Sequence, residues 1–219
     1  SRYLEEAGVA FDSYTGGRPT ADQVLIVAPG AASALAGSAA AIKAWLAAGG
    51  HLLAIGLDEQ TANAFLPFAI GTRREEHISA WFEPFPAGSP LAGVGPADVV
   101  VRDPRELSLL SGGATIVGNG VLGVGEEANV VFCQLVPWEF DWRKPRRGAD
   151  APPLMNLKRT FRRSSVLLAR LLANLGVAGS TPLLARVREP ASAGEQRWLE
   201  GLYLDAPEEW DDPYRFFRW

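Results

Sequence analysis

The chain holds one cysteine, one methionine and two histidines among its 219 residues. A single cysteine excludes an internal disulfide and any zinc site built on cysteine pairs. His51 and His77 are the only imidazoles, too few for a His-rich metal centre. No apolar run is long enough to cross a bilayer as a helix. The N-terminus lacks the basic-then-apolar order of a secretory signal. It also lacks an initiator Met and opens on helix-like YLEEAG, which reads as a piece of a longer chain. Positive charge is not in excess: Lys and Arg number 21 against 25 Asp and Glu. The net charge of -4 excludes a globally basic nucleic-acid binder.

What remains is an ordinary globular composition, 47% hydrophobic and 21% charged. The length suits one full α/β domain, or one domain with an appendage. Charge is unevenly spread. Arg143, Lys144, Arg146, Arg147, Lys158, Arg159, Arg162 and Arg163 face a single nearby acid, Asp150. The last residues reverse this, with Glu200, Asp205, Glu208, Glu209, Asp211 and Asp212 against Arg215 and Arg218. A basic segment and an acidic tail in one chain more often satisfy each other than bind outside partners.

The stretch from Gln23 to Glu59 organises the chain. Val24 to Ala28 is a continuous apolar run, as expected of a strand covered on both faces. Pro29-Gly30 stops it. The following helix has Ser33 or Ser38 as a cap, and Leu35, Ile42, Trp45 and Leu46 on roughly one face. Gly49-Gly50 closes it. Leu52 to Ile55 is a second buried strand, and the pair reads as a parallel βαβ unit. After Gly56, Asp58 is placed to cap a short helix running to about Phe65.

Further strands are expected at 9–14, 77–83, 99–101, 114–117, 121–124 and 129–136. Gly118-Asn119-Gly120 supplies a turn. Residues 141–153 read as a basic, Pro-rich loop. Residues 156–175 form the clearest helix, with Leu157, Phe161, Val166, Leu168, Leu171, Leu172 and Leu175 apolar and Gly176 at its end. The sum is an α/β domain over 1–178, with a mostly parallel sheet and helices on both faces. An irregular tail over 179–219 holds Trp198, Tyr203, Trp210, Tyr214, Phe216, Phe217 and Trp219. A disordered tail is poor in aromatics, so this one is expected to pack on the domain or a neighbouring module.

The segments VLIVAPG, IKAWLAAGGHLLAIG, ANVVFCQLVPWEF and NLKRTFRRSSVLLARLLANLGV carry a resemblance. In this order they resemble the class I glutamine amidotransferase-like fold, a flavodoxin-like sheet. More narrowly they look like its non-catalytic version in bacterial glycoside hydrolases, the β-galactosidase trimerisation domain and its relatives. The likeness covers roughly 150 of the 219 residues. The tail YLDAPEEWDDPYRFFRW resembles the C-terminus of long bacterial proteins with such modules. Catalytic members carry a nucleophilic cysteine at the strand-to-helix elbow, where a helix N-terminus and a histidine favour the thiolate. Here the elbow reads AIGLDEQ: Leu57 or Asp58 falls at the nucleophile position, and no His-x-Glu follows the late strand. The resemblance therefore implies an elbow without its reaction, in a domain serving assembly or docking to other modules of its polypeptide.

Each candidate residue carries two readings. Gly56, Leu57, Asp58 and Glu59 form either a helix start or a carboxylate site at the sheet edge. Glycoside hydrolysis needs a second carboxyl about 5–9 Å away, and Glu75, Glu76, Glu139 and Asp141 are the available seconds. Trp81, Trp138 and Trp142, with Glu139, Arg159 and Arg162, are candidates for a partner or sugar-stacking surface. Cys133, in an apolar run, reads as an inert core residue. Glu75, Glu76 and His77 are neighbours on a strand and alternate faces, against a metal site. No catalytic residue, cofactor or metal is assigned. Partners expected are modules of the same polypeptide, a second copy or carbohydrate, and not nucleic acid or membrane. The rival readings are a carboxylate-dependent hydrolase and a carbohydrate-binding domain.

Overall fold

A computed structural model describes residue 4, residues 9–127, residues 129–140 and residues 154–177. The first strand, β1, is Val24–Val27. A short helix α1 (Ala32–Leu35) and a 3-10 turn (Ala36–Ser38) lead into α2, Ala39–Ala47. Ser38 occupies the N-cap position without a side-chain capping bond. β2, His51–Ile55, follows and pairs parallel with β1, Val24 opposite His51. Ile42, Trp45 and Leu46 of α2 are buried, as the spacing requires. Burial of each large apolar side chain stabilises the unit by about 1.5–3 kcal/mol. Trp45 also donates its indole N–H to Thr20 O at 3.0 Å. Gly50 permits this packing, because a Cβ there would come within 2.2 Å of the Trp45 ring.

Beyond the elbow come α3 (Glu59–Asn63), β3 (Gly71–His77), a 3-10 turn (Pro96–Val99) and β4, Arg105–Gly112. β5 (Thr115–Val117), β6 (Leu122–Val124) and β7 (Val130–Cys133) precede a 3-10 turn at Pro137–Glu139 and the long helix α4, Leu154–Asn174. The main sheet has the order β1-β2-β7-β6-β5. β1, β2 and β7 are parallel, and β6 runs against both β7 and β5. Four of its five strands therefore point one way. β3 and β4 form a separate antiparallel ribbon, His77 opposite Arg105.

The central strands are apolar on both faces, as parallel strands between helices must be. Leu53, Ile55, Val131 and Cys133 join the core with Leu167, Leu168, Leu171 and Leu172 of α4 and Leu175 just beyond it. Leu52, Ala54, Val130 and Phe132 face the other core, with Ile42, Trp45 and Leu46 of α2. Helices thus cover both faces of an α/β sheet. Just before β7, Asn129 ties the sheet to the α2 side: its Nδ2 donates to Leu46 O in α2 and to Gly50 O ahead of β2, both at 2.8 Å. Gly176 stands just past α4, as expected.

Three expected strands are corrected. Residues 9–14 are irregular, with Val9 anchored in the core by its side chain. The strand expected at 77–83 lies earlier, at Gly71–His77, and 78–83 is irregular. Residues 99–101 do not form a strand, because Pro96 opens a 3-10 turn and Asp98 Oδ2 accepts from Gly95 N at 2.7 Å. The run RELSLLSG, unassigned from sequence, is β4. The loop 141–153 and the tail 179–219 lie outside the described residues. Among the described residues no helix is long and apolar enough to cross a membrane.

Candidate functional site

The elbow sits at the C-terminal end of β2, between the ends of β1 and β7. Gly56 N donates to Cys133 O at 2.8 Å, which carries the β2–β7 pairing one residue past the strand. Gly56 has φ +60, in the left-handed region, and its Cα lies close under neighbouring side chains. A Cβ there would fall 2.3 Å from Val136 Cγ2 and 3.3 Å from Pro29 Cγ. The crevice mouth is therefore packed with apolar groups at this point. Leu57, at the expected nucleophile position, is 1% exposed and belongs to the α2-side core.

The elbow carboxylates are engaged by the scaffold. Asp58 is extended and its Oδ1 accepts from Thr61 N at 2.8 Å, the N-cap bond of α3. That backbone N–H is the main cause holding the Asp58 carboxyl below its ordinary value, with the Thr61 side chain adding to it. Glu59 and Thr72 exchange two bonds. Glu59 N donates to Thr72 Oγ1 at 3.1 Å, and Thr72 N donates to Glu59 Oε2 at 2.9 Å. One carboxylate thus turns into its own helix and the other crosses to β3.

Of the proposed second carboxyls, Glu75 pairs with Arg73 at 2.6 Å on the exposed ribbon. Glu139 is exposed in the turn after β7, and Asp141 lies outside the described residues. Cys133 is fully buried. Desolvation pushes its thiol up to about 12, and its Sγ lies 3.5 Å from Leu135 O. His77 is not arranged as a metal ligand. Its Nε2 lies 2.7 Å from Val99 O, and its Nδ1 lies 3.0 Å from Asn119 Nδ2. Among the described residues, no three His, Cys, Asp or Glu side chains group as a metal site.

The candidate surface residues divide. Trp138 is partly buried against the α4-side core, and Arg159 and Arg162 are half-buried on α4. The segment 102–105 links these pieces. Arg102 N donates to Thr160 Oγ1 at 3.0 Å. Arg105 pairs with Asp103, donates from Nη1 to Glu139 O at 3.4 Å, and stacks 4.2 Å from the Phe140 ring centroid. Trp81 belongs to a different patch. It is 72% exposed, as to a lesser degree are Ile78, three residues before it, and Ile116 on β5. Gly118, two residues after Ile116, lies against Ala80. Trp142 lies outside the described residues, as do Arg143, Lys144, Arg146 and Arg147.

Sequence reasoning missed Gln134. Its Nε2 donates to Leu57 O at 3.1 Å behind the elbow, while its Oε1 is buried without a partner among the described residues. The signal was a polar residue inside the apolar run CQLV. Searches of family models, curated proteins and solved structures matched nothing to this chain.

Proposed function

We propose that this chain is a non-catalytic domain that serves assembly or docking between modules. One observation carries the reading: the polar groups at the sheet's chemical edge are taken up by the scaffold itself. Asp58 caps α3, Glu59 binds Thr72, and Leu57 is in the core. A carboxylate hydrolase needs two carboxyls converging on one cleft. Asp58 and Glu59 instead turn to different partners, which weakens that alternative.

The finer assignment extends the sequence resemblance. We read the domain as a class I glutamine amidotransferase-like, flavodoxin-like fold of the kind found in bacterial glycoside hydrolases. Parallel β1, β2 and β7 with helices on both faces support it. The edge position of β1 sets it apart from the flavodoxin order, whose first strand lies inside the sheet. The 72% exposure of Trp81 supports a docking role, since a large exposed aromatic suits a partner surface.

The test is an activity screen of the purified chain on glycosides and glutamine, with Asp58→Ala and Glu59→Ala alongside. The expected result is no turnover by any of the three. Turnover by the parent chain that disappears in Asp58→Ala would overturn the reading. The carbohydrate-binding alternative also draws on exposed Trp81. Calorimetric titration with oligosaccharides, repeated on Trp81→Ala, separates the two.

A further inference from the structure

β3 is the outer strand of its ribbon: one edge pairs with β4, and the other carries no strand among the described residues. Opposite residues in an antiparallel pair either exchange both backbone bonds or turn both away. Thr72 and Leu110 are opposite and turn away: Thr72 N donates to Glu59 Oε2, and Leu110 N donates to Gly120 O. By alternation, Arg74 (opposite Ser108) and Glu76 (opposite Glu106) also turn their backbone groups outward. Among the described residues, no backbone bond from outside the ladder reaches Arg74 or Glu76. Arg73, Arg74, Glu75 and Glu76 are all exposed.

We propose that this edge pairs antiparallel with the same edge of a second copy of the chain, joining two ribbons into one sheet about a two-fold axis. Only outward-turned residues can stand opposite one another, which leaves three registers over the free stretch. Arg74 opposite the partner's Arg74 brings two guanidinium groups together, and sets Glu76 against a Thr72 whose N–H is given to Glu59. Glu76 opposite the partner's Glu76 brings two carboxylates together, and sets Arg74 against an Ile78 whose carbonyl is taken by Val101 N at 2.8 Å. The third register places Arg74 opposite the partner's Glu76 and, by symmetry, Glu76 opposite the partner's Arg74. It joins opposite charges and uses every outward N–H and C=O of the two residues.

Charge of one sign on an edge strand keeps other strands away. This edge carries both signs, and the single chain leaves one of them unanswered. Glu76 stands opposite Glu106 in a pair whose side chains share a face and approach closely. Arg74 reaches Glu106 at 3.6 Å, while Glu76 makes no ion pair among the described residues. In the paired edge the partner's Arg74 arrives beside these two carboxylates. Glu75 falls on the axis opposite the partner's Glu75, and each is balanced by its own Arg73 at 2.6 Å.

The free stretch is short, bounded by Glu59 at Thr72 and by Val101 at Ile78. An interface this small gives a weak dimer that forms only at high concentration. Its use in assembly rests on the function proposed above, whereas the pairing rests on the edge geometry. A chain that stays single leaves docking to other modules standing, and turnover in the activity screen leaves the pairing standing.

The test is sedimentation of the full chain over a series from about 1 μM to 1 mM, with dimer expected at the upper end. Arg74→Glu and Glu76→Arg each set like charges opposite one another and should weaken the dimer about tenfold or more. An equimolar mixture of the two should dimerise again, because one variant is acidic at both positions and the other basic. Glu75→Cys should link two chains by a disulfide on mild oxidation, since opposite residues on the axis have Cα atoms about 4.5 Å apart. Glu106→Cys, exposed on the far strand, should not. All these positions are exposed, and thermal melts matching the parent chain show that the variants fold. A parent chain that stays monomeric across the series would overturn the pairing. So would a dimer that Trp81→Ala weakens and Arg74→Glu does not, or a mixture that fails to recover what both single variants lost.

Discussion

Gly56 and Val136 are in mutual contact across the end of the sheet, so closely that a methyl group on Gly56 would sit 2.3 Å from Val136 Cγ2. The backbone at Gly56 also has φ +60. Gly56→Ala should therefore destabilise the domain by about 2–4 kcal/mol, from left-handed backbone strain and overpacking together. Val136→Ala in the same chain should recover the overpacking part and leave the backbone part. A double-mutant cycle by urea unfolding checks this, with coupling of about 1 kcal/mol or more expected for residues in contact.

Asp58→Ala removes the cap of α3 and should cost about 1 kcal/mol at neutral pH. For a domain of this size the midpoint should fall by about 2–4 °C. The folded carboxyl is held below its ordinary value of 3.8. Its contribution is therefore present above that value and is lost as pH falls through the lower folded value. Melts of both proteins should converge in that acid range. Asp58→Asn, which keeps an acceptor oxygen, should retain most of the stability and lose this part of the pH dependence.

Asn129→Ala leaves Leu46 O and Gly50 O without the donor that now reaches both at 2.8 Å. Leu46 O keeps the Gly49 N–H at 2.9 Å, so the loss is at most that of one buried acceptor, about 1–3 kcal/mol in chemical denaturation. Asn129→Asp should be worse still, because its charge would face two carbonyl oxygens.

Cys133 should be silent to thiol reagents in the folded state. Its thiol is fully buried, with ionisation pushed up to about 12. Labelling with an aromatic disulfide should proceed only at the rate of global opening and become complete in denaturant.

Trp81→Ala should leave folding stability within about 0.5 kcal/mol, because the ring is 72% exposed. Any assembly seen by analytical ultracentrifugation, or binding to a neighbouring module, should weaken by about tenfold or more if Trp81 anchors that surface.

Much of this architecture was readable in the residues themselves. The apolar runs at Val24–Val27 and Val130–Cys133, and the Gly-Gly end of α2, identify buried strands and a helix stop by composition alone. Asp58 was legible as a cap because its role depends on the next three residues. β3 was not legible. GTRREEH places Arg73, Arg74, Glu75 and Glu76 in succession, all exposed, so there is no two-residue alternation to read. The aromatic-bearing run that follows drew the strand assignment away from it. Val99-Val100-Val101 misled in the opposite way, since its propensity yields to Pro96 and the Asp98 bond. The partners of Gln134, Asn129 and His77 lie 77, 83 and 42 residues away, at Leu57, Leu46 and Asn119, and no local pattern announces contacts of that span.

The burial of Leu57 has an evolutionary consequence. A single substitution to cysteine at the expected nucleophile position would deliver a thiol into the α2-side core rather than to solvent. Placing a reactive thiol at this elbow would need the backbone to turn as well, past a Gly56 already hemmed in by Val136 and Pro29. The packing thus acts as a ratchet. Point mutations on the surface are accommodated far more readily than a reactive group at this position.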